Sequence, residues 1–175
     1  MGMRLGSHRF KTLPGLATRP TPARVREALF NIWRERVRGA RWLDLCAGSG
    51  AMGGQALVLG ATFALAIEKA PAACRLIREN WQTLPGDREV WCGDVRKMLS
   101  KVLALPPFDL IYFDPPYDSD LYEPVLAAIA PGLAPGGQMA VEHRRSQVLP
   151  AAVALTPVEG RTYGETAIAF YEPVL

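Results

Sequence analysis

Residues 42–53, Trp-Leu-Asp-Leu-Cys-Ala-Gly-Ser-Gly-Ala-Met-Gly, run an apolar strand into a glycine-rich turn that opens a helix. Gly48, Gly50 and Gly53 match G-x-G-x-x-G, a weak pattern except in this strand–turn–helix setting. Glycine lets such a turn adopt positive φ and lets a ligand lie against bare backbone. A chain that carries this unit is constrained to an open α/β sheet with its ligand outside the carboxyl ends of the strands.

The rest of the chain agrees with that constraint. Strands are predicted at 41–46, 62–68, 89–92, 108–114 and 138–142, and helices at 22–38, 50–60, 70–84, 94–105 and 119–130. Thr21 is expected to cap the first helix with Pro22 as its first residue, and Gly39 to stop it. Gly60 and Gly86 stand where helix C-caps are expected. Alternation of this kind argues for a parallel sheet covered on both faces. Two further strands, 152–159 and 166–172, are joined too closely for a helical crossover, so the last is expected to run antiparallel to its neighbour.

The 175 residues favour one domain. Hydrophobic residues at 49% and charged ones at 21% exclude a disordered chain. Apolar stretches fall well short of the ~18 residues of a membrane span, and the first residues show no apolar core of a secretory signal. Cys46, Cys74 and Cys92 show no C-x-x-C spacing and suit reduced thiols, so a cytoplasmic protein without a structural metal is expected.

Charge is unevenly spread. Residues 1–41 hold ten Lys/Arg against Glu27 and Glu35, and nine of those ten are arginines. The planar guanidinium suits phosphates and base edges, so this segment nominates a polyanion as partner, unless it is only a solvated basic face.

Glu68 ends the second strand twenty residues after Gly48, where a carboxylate can accept from both hydroxyls of an adenosine ribose. A nicotinamide dinucleotide and S-adenosylmethionine share that arrangement. Asp44, at the end of the first strand, favours the second, because it repels a pyrophosphate and attracts a cationic amino-acid moiety. Asp94 is placed either to reach the adenine amino group or simply to cap the 94–105 helix.

Residues 108–117, Phe-Asp-Leu-Ile-Tyr-Phe-Asp-Pro-Pro-Tyr, form a hydrophobic strand ending in a second motif. An exocyclic amine of a nucleobase is a poor nucleophile because its lone pair is delocalised into the ring. Asp114 can accept one of its N–H groups and the carbonyl of Pro115 the other, which favours a pyramidal nitrogen with a localised lone pair. Pro116 holds Pro115 extended, and so fixes the carbonyl direction in advance. Tyr117 offers a face for the base to stack on.

Together, Asp44–Gly50 and Asp114–Tyr117 resemble the class I methyltransferases that modify exocyclic amines. The block Arg-Pro-Thr-Pro-Ala-Arg-Val-Arg-Glu-Ala-Leu-Phe-Asn at 19–31, with residues 6–13 and 163–171, is similar to the RsmD family. That family methylates N2 of a guanine in bacterial 16S ribosomal RNA. The resemblance implies a Rossmann-like, mostly parallel seven-stranded sheet with an antiparallel last strand, flanked by helices. It implies a basic extension at 1–40 facing RNA and an S-adenosylmethionine-binding catalytic core at 41–175. It also implies action on 16S rRNA, the small subunit or an assembly intermediate; nothing in the sequence demands a dimer, so a monomer is expected, with no membrane partner.

Carried onto this sequence, the cofactor contacts are Asp44, Cys46, Ala47, Gly48, Ser49, Gly50, Glu68, Lys69, Asp94, Val95 and Asp114. The reaction site is Asp114, Pro115, Pro116 and Tyr117, and the RNA candidates are Arg9, Lys11, Arg19, Thr21, Arg24 and Arg26. N6 methylation of DNA adenine, a noncatalytic RNA-binding module and an NAD-dependent oxidoreductase remain as alternatives. His8, His143, Trp33, Trp81 and Trp91 receive no role.

Overall fold

The computed structural model describes residues 2–14 and 21–174. The chain opens with a hairpin, β1 (Gly2–Leu5) and β2 (His8–Lys11), followed by α1 (Ala23–Ile32) and a short α2 (Arg34–Val37). It then alternates through β3 (Arg41–Leu45), α3 (Ala51–Val58), β4 (Phe63–Glu68), α4 (Pro71–Trp81), β5 (Asp87–Cys92), α5 (Val95–Leu103), β6 (Phe108–Phe113) and α6 (Tyr122–Ala128). A 3-10 turn (Ala130–Gly132) leads to β7 (Leu133–Arg144), and β8 (Leu155–Tyr163) and β9 (Thr166–Pro173) close the fold.

Seven strands form one sheet in the order β5-β4-β3-β6-β7-β9-β8, and β9 runs antiparallel to both neighbours, as expected from the short connection before it. The chain steps outward from β3 to β5 and returns to β6 beside β3. That reversal opens a crevice at the carboxyl ends of β3 and β6, where open α/β sheets hold ligands. The glycine turn ends one of these strands and the Asp-Pro-Pro-Tyr segment follows the other, so topology alone brings the two motifs together.

Period-two alternation divides the strands between two cores. Trp42, Leu110 and Tyr112 face α1, α3, α4 and the hairpin, while Leu43, Leu45 and Phe113 face α5 and α6. The opening hairpin is no loose appendage. Phe10 is wholly buried in the first core, and Asn80 ties β2 down through Lys11 N→Asn80 Oδ1 (2.8 Å) and Asn80 Nδ2→Lys11 O (2.9 Å). Burial of each such aromatic is worth ~2–3 kcal/mol. Among the described residues, no helix is long and apolar enough to cross a membrane.

Five local expectations are corrected. The predicted helix over 22–38 is interrupted at Trp33, whose buried indole donates to Gln138 Oε1 (2.6 Å) and meets Trp42 and Phe170 edge-on. Pro22, not Thr21, holds the N-cap position of α1, without a side-chain cap, because the Thr21 hydroxyl is engaged elsewhere. Gly86 has positive φ but sits in the turn before β5, five residues after α4 ends. β7 begins five residues early because Leu133 pairs with Phe108 across an irregular register, and β8 starts three residues later than the predicted 152–159 and runs four further, as an exposed edge strand whose polar sequence hides its pairing.

Candidate active site

The turn after β3 is held by both neighbouring elements. Gly50 adopts φ 77° at the start of α3, and its carbonyl accepts from Trp81 Nε1 (2.8 Å). Asn80 Nδ2 reaches the Ser49 carbonyl at 3.3 Å, and Ala47 N donates to Ile67 O at 2.9 Å. Gly54 has a different reason to be glycine: a Cβ there would stand 2.3 Å from Cζ of Phe10. Cys46 itself takes φ 64°, a left-handed conformation that costs a side-chain-bearing residue ~1–3 kcal/mol and is typical of ligand-holding turns.

Two buried carboxylates line this turn. Glu68 Oε2 accepts from Gly48 N at 2.7 Å and Oε1 from Ala70 N at 3.0 Å, so it props the glycine turn against the end of β4. Each oxygen keeps a second lone pair for a hydroxyl donor. Asp44 is 1% exposed, and Oδ2 accepts from Gly53 N at 3.3 Å. Burial pushes its pKa up to about 8, the Gly53 bond opposes this, and the charge of Glu68 adds to it.

Asp94, in the loop after β5, caps α5 by accepting from Arg96 N at 2.9 Å, and the Arg96 guanidinium holds its carboxyl down at about 2. The capping role weighed in the sequence is therefore present. Val95 is buried in the second core, and Lys69 is exposed beside Glu68. The Cys46 thiol shows how closely the acidic groups converge. Burial first, then the charges of Glu68, Asp44, Asp114 and Asp94, push its pKa far up.

A crevice ringed by four carboxylates from the ends of four adjacent strands is hostile to a pyrophosphate. It suits a ligand with a positive centre and a vicinal diol. That donor set suits S-adenosylmethionine and disfavours a dinucleotide.

The reaction corner follows β6. Asp114 is half-buried and Pro115 buried, and the turn closes through Ser119 N to the Pro116 carbonyl (3.0 Å), a bond in which the Pro115 carbonyl takes no part. The Tyr117 hydroxyl lies 3.0 Å from Thr166 Oγ1 on β9. The Arg144 guanidinium lies 5.2 Å from the centre of the Tyr117 ring and is held by both oxygens of Asp118 (2.9 and 3.3 Å). One face of the expected stacking ring thus carries a cation from β7.

Thr21 Oγ1 lies 3.3 Å from Asp114 Oδ2 and 3.2 Å from Tyr112 Oη, and Tyr112 in turn donates to the wholly buried Glu142. The sequence reading missed Tyr112, Glu142, Asp118, Arg144 and Trp81. Charged or hydroxyl-bearing residues inside the apolar runs 108–113 and 139–142 were the available signal.

The basic segment is less uniform than its composition. Arg9 and Arg24 are exposed, and Lys11 is exposed but ion-paired with Glu79. Arg26 is only 8% exposed, its Nε buried without a hydrogen-bond partner, and burial lowers its pKa. It lies on the buried face of α1. Arg19 lies outside the described residues.

Comparison with known proteins agrees with this fold. The family model described as Conserved hypothetical protein 95 covers residues 2–172. A Bacillus subtilis protein named "Putative rRNA methyltransferase YlbH" is 32% identical over 93% of this chain and 91% of its own. "Ribosomal RNA small subunit methyltransferase D" of Haemophilus influenzae is 28% identical over 95% of this chain and 91% of its own. Among solved structures, "Putative methyltransferase yhhF" of Escherichia coli superposes with a TM-score of 0.83 at 27% identity, over 99% of this chain and 98% of its own. A hypothetical protein of Thermus thermophilus superposes at 0.77 with 35% identity, over 93% and 92%.

Proposed function

We propose that this chain, which belongs to the Conserved hypothetical protein 95 family and has the class I S-adenosylmethionine-dependent methyltransferase fold, methylates the exocyclic N2 of a guanine in small-subunit ribosomal RNA. The observation that carries this reading is the meeting of two motifs. An Asp-Pro-Pro-Tyr corner at the end of β6 opens onto the carboxylate-ringed crevice at the end of β3. The RNA substrate is supported by the names of the relatives and by the exposed arginines at the amino-terminal end.

In this reading Asp44 faces the cofactor's ammonium and Glu68 its ribose hydroxyls. Asp94 and Val95 border the adenine, and Cys46, Ala47, Gly48, Ser49, Gly50 and Lys69 form the surrounding wall. Bound S-adenosylmethionine supplies a methyl group on a positively charged sulfur. The protein's part is to prepare the nucleophile. Asp114 and the Pro115 carbonyl accept the two N–H groups of the amine, which draws its lone pair out of conjugation. The Pro115–Pro116 backbone is fixed before substrate arrives, so little ordering remains for the reaction step. Loss of the amine proton to Asp114 keeps the product nitrogen neutral. Tyr117 stacks on the target base, which reaches the corner unpaired or flipped.

Residues 1–40 form the RNA-facing part and 41–175 the catalytic core, with Arg9, Lys11, Arg19 and Arg24 as phosphate contacts. The test is incubation of 16S rRNA, and separately of small subunits, with methyl-labelled cofactor, followed by digestion and nucleoside mass spectrometry. Label in N2-methylguanosine is expected. Label in N6-methyladenine of DNA, or none in any nucleic acid, overturns the reading.

A further inference from the structure

Asp114 does not stand alone at the reaction corner. Thr21, the second residue before α1, places Oγ1 3.3 Å from Asp114 Oδ2 and 3.2 Å from Tyr112 Oη. Tyr112 is 2% exposed, and its hydroxyl donates to Oε2 of Glu142, which is 0% exposed. Tyr122 Oη donates to the main-chain carbonyl of Glu142 at 2.9 Å, fixing the residue from α6. Oxygens from three separated parts of the chain therefore form a line from the reaction corner into the protein.

Hydrogen counting sets the direction of this line. A carboxylate only accepts, so the Tyr112 hydrogen is committed to Glu142 and the Tyr112 oxygen is left as an acceptor. Thr21 then has one hydrogen and two acceptors, Tyr112 and Asp114. While Asp114 is ionised, the charged oxygen draws that hydrogen. When Asp114 takes up the amine proton on its other oxygen, Oδ2 remains an acceptor and the Thr21 hydrogen stays on it.

We propose that Thr21, backed by Tyr112 and Glu142, is a positioning residue that holds Oδ2 of Asp114 and so orients the carboxylate for the substrate amine. This rests on the methyl-transfer reading above. In the step concerned, the amine N–H bond breaks, its pair stays on nitrogen, and the proton forms an O–H bond on Asp114. Thr21 and Tyr112 neither gain nor lose a proton.

The test measures methyl transfer to rRNA for wild type, Thr21→Val, Thr21→Ser, Tyr112→Phe and the double variant Thr21→Val/Tyr112→Phe. Cofactor binding is titrated in parallel, and folding is checked by thermal melting. Thr21→Val is expected to lower kcat roughly ten- to hundredfold, the effect of losing one hydrogen bond to a charged group. The KM for RNA and the cofactor Kd should stay within about threefold. Thr21→Ser should restore most of the rate. Tyr112→Phe should lower kcat alone, yet add less than about twofold in the Thr21→Val background.

A Thr21→Ser variant as slow as Thr21→Val, full additivity of the pair, or a loss confined to the KM for RNA would each overturn the proposal. The last outcome would make Thr21 an RNA contact. Absence of transfer by the wild-type protein overturns the methyl-transfer reading itself, and this proposal falls with it. Unchanged rates in all variants of an active protein remove only the positioning chain.

Discussion

The two walls of the crevice are built in opposite ways. The cofactor wall, around β3, α3 and β4, is local: Asp44 bonds to Gly53, nine residues on, and Glu68 to Gly48, twenty residues back. The reaction wall, around the end of β6, is assembled from afar. Asp114 meets Thr21 across 93 residues, Tyr117 meets Thr166 across 49, and Tyr112 meets Glu142 across 30. The two carboxylate bonds of the first wall lie within one contiguous βαβ unit, buttressed from α4 by Trp81 and Asn80. The second exists only after the amino-terminal segment, β6, β7 and β9 have all come together, so its geometry depends on the whole fold.

That contrast predicts a separation of effects. Asp114→Ala removes an acceptor used by the reacting amine and should lower kcat by roughly a thousandfold or more, with the cofactor Kd within a few-fold by calorimetry. A weakened Kd with normal turnover would erase the distinction between the walls. Glu68→Gln should do the converse. Cofactor Kd should rise roughly ten- to hundredfold, while kcat at saturating cofactor changes less than about threefold.

The pH response sharpens the same division. Because burial holds Asp44 near 8 in the ligand-free protein, binding a cationic group there must first release a proton. Cofactor affinity should rise by up to about tenfold per unit between about pH 6 and 7.5, and Asp44→Asn should flatten that slope in a titration. Stability carries the opposite sign. The folded-state pKa lies above the unfolded value of about 4, so the contribution is full below about pH 4 and fades as pH rises toward 8. Urea unfolding of ligand-free protein across that range, with Asp44→Asn as reference, checks it.

Smaller effects test how each wall is held in place. Gly54→Ala drives a methyl group into Phe10 and should cost about 1–3 kcal/mol in urea unfolding, partly recovered by Phe10→Leu. Exposed Arg24 and buried Arg26 should differ in RNA binding. Arg24→Gln is expected to reduce the salt slope of log K by about one, and Arg26→Met to leave it unchanged.

The same contrast decides what the sequence disclosed. Strand–helix alternation, the glycine turn, Glu68 and the antiparallel last strand were legible because each is signalled within one or two adjacent elements. Helix α1 was legible as a helix, but its break at Trp33 depends on Gln138 and Phe170, more than a hundred residues away. Thr21 read equally well as a cap, since a threonine before a proline and a helix satisfies the local rule. Its true partners lie on and just beyond β6. Arg26 reads as one more cation in a basic run, and only packing reveals that α1 turns it inward. Arg144 over Tyr117 joins two segments that no local pattern links.

The position of a bound cofactor's sulfur tests the division of the crevice most directly. A crystal structure with S-adenosylhomocysteine should show its ammonium at Asp44, its ribose hydroxyls on Glu68 and its sulfur facing the gap between Asp114 and the Pro115 carbonyl. A sulfur turned away from that corner, or a ligand seated outside the β3–β6 crevice, would contradict it.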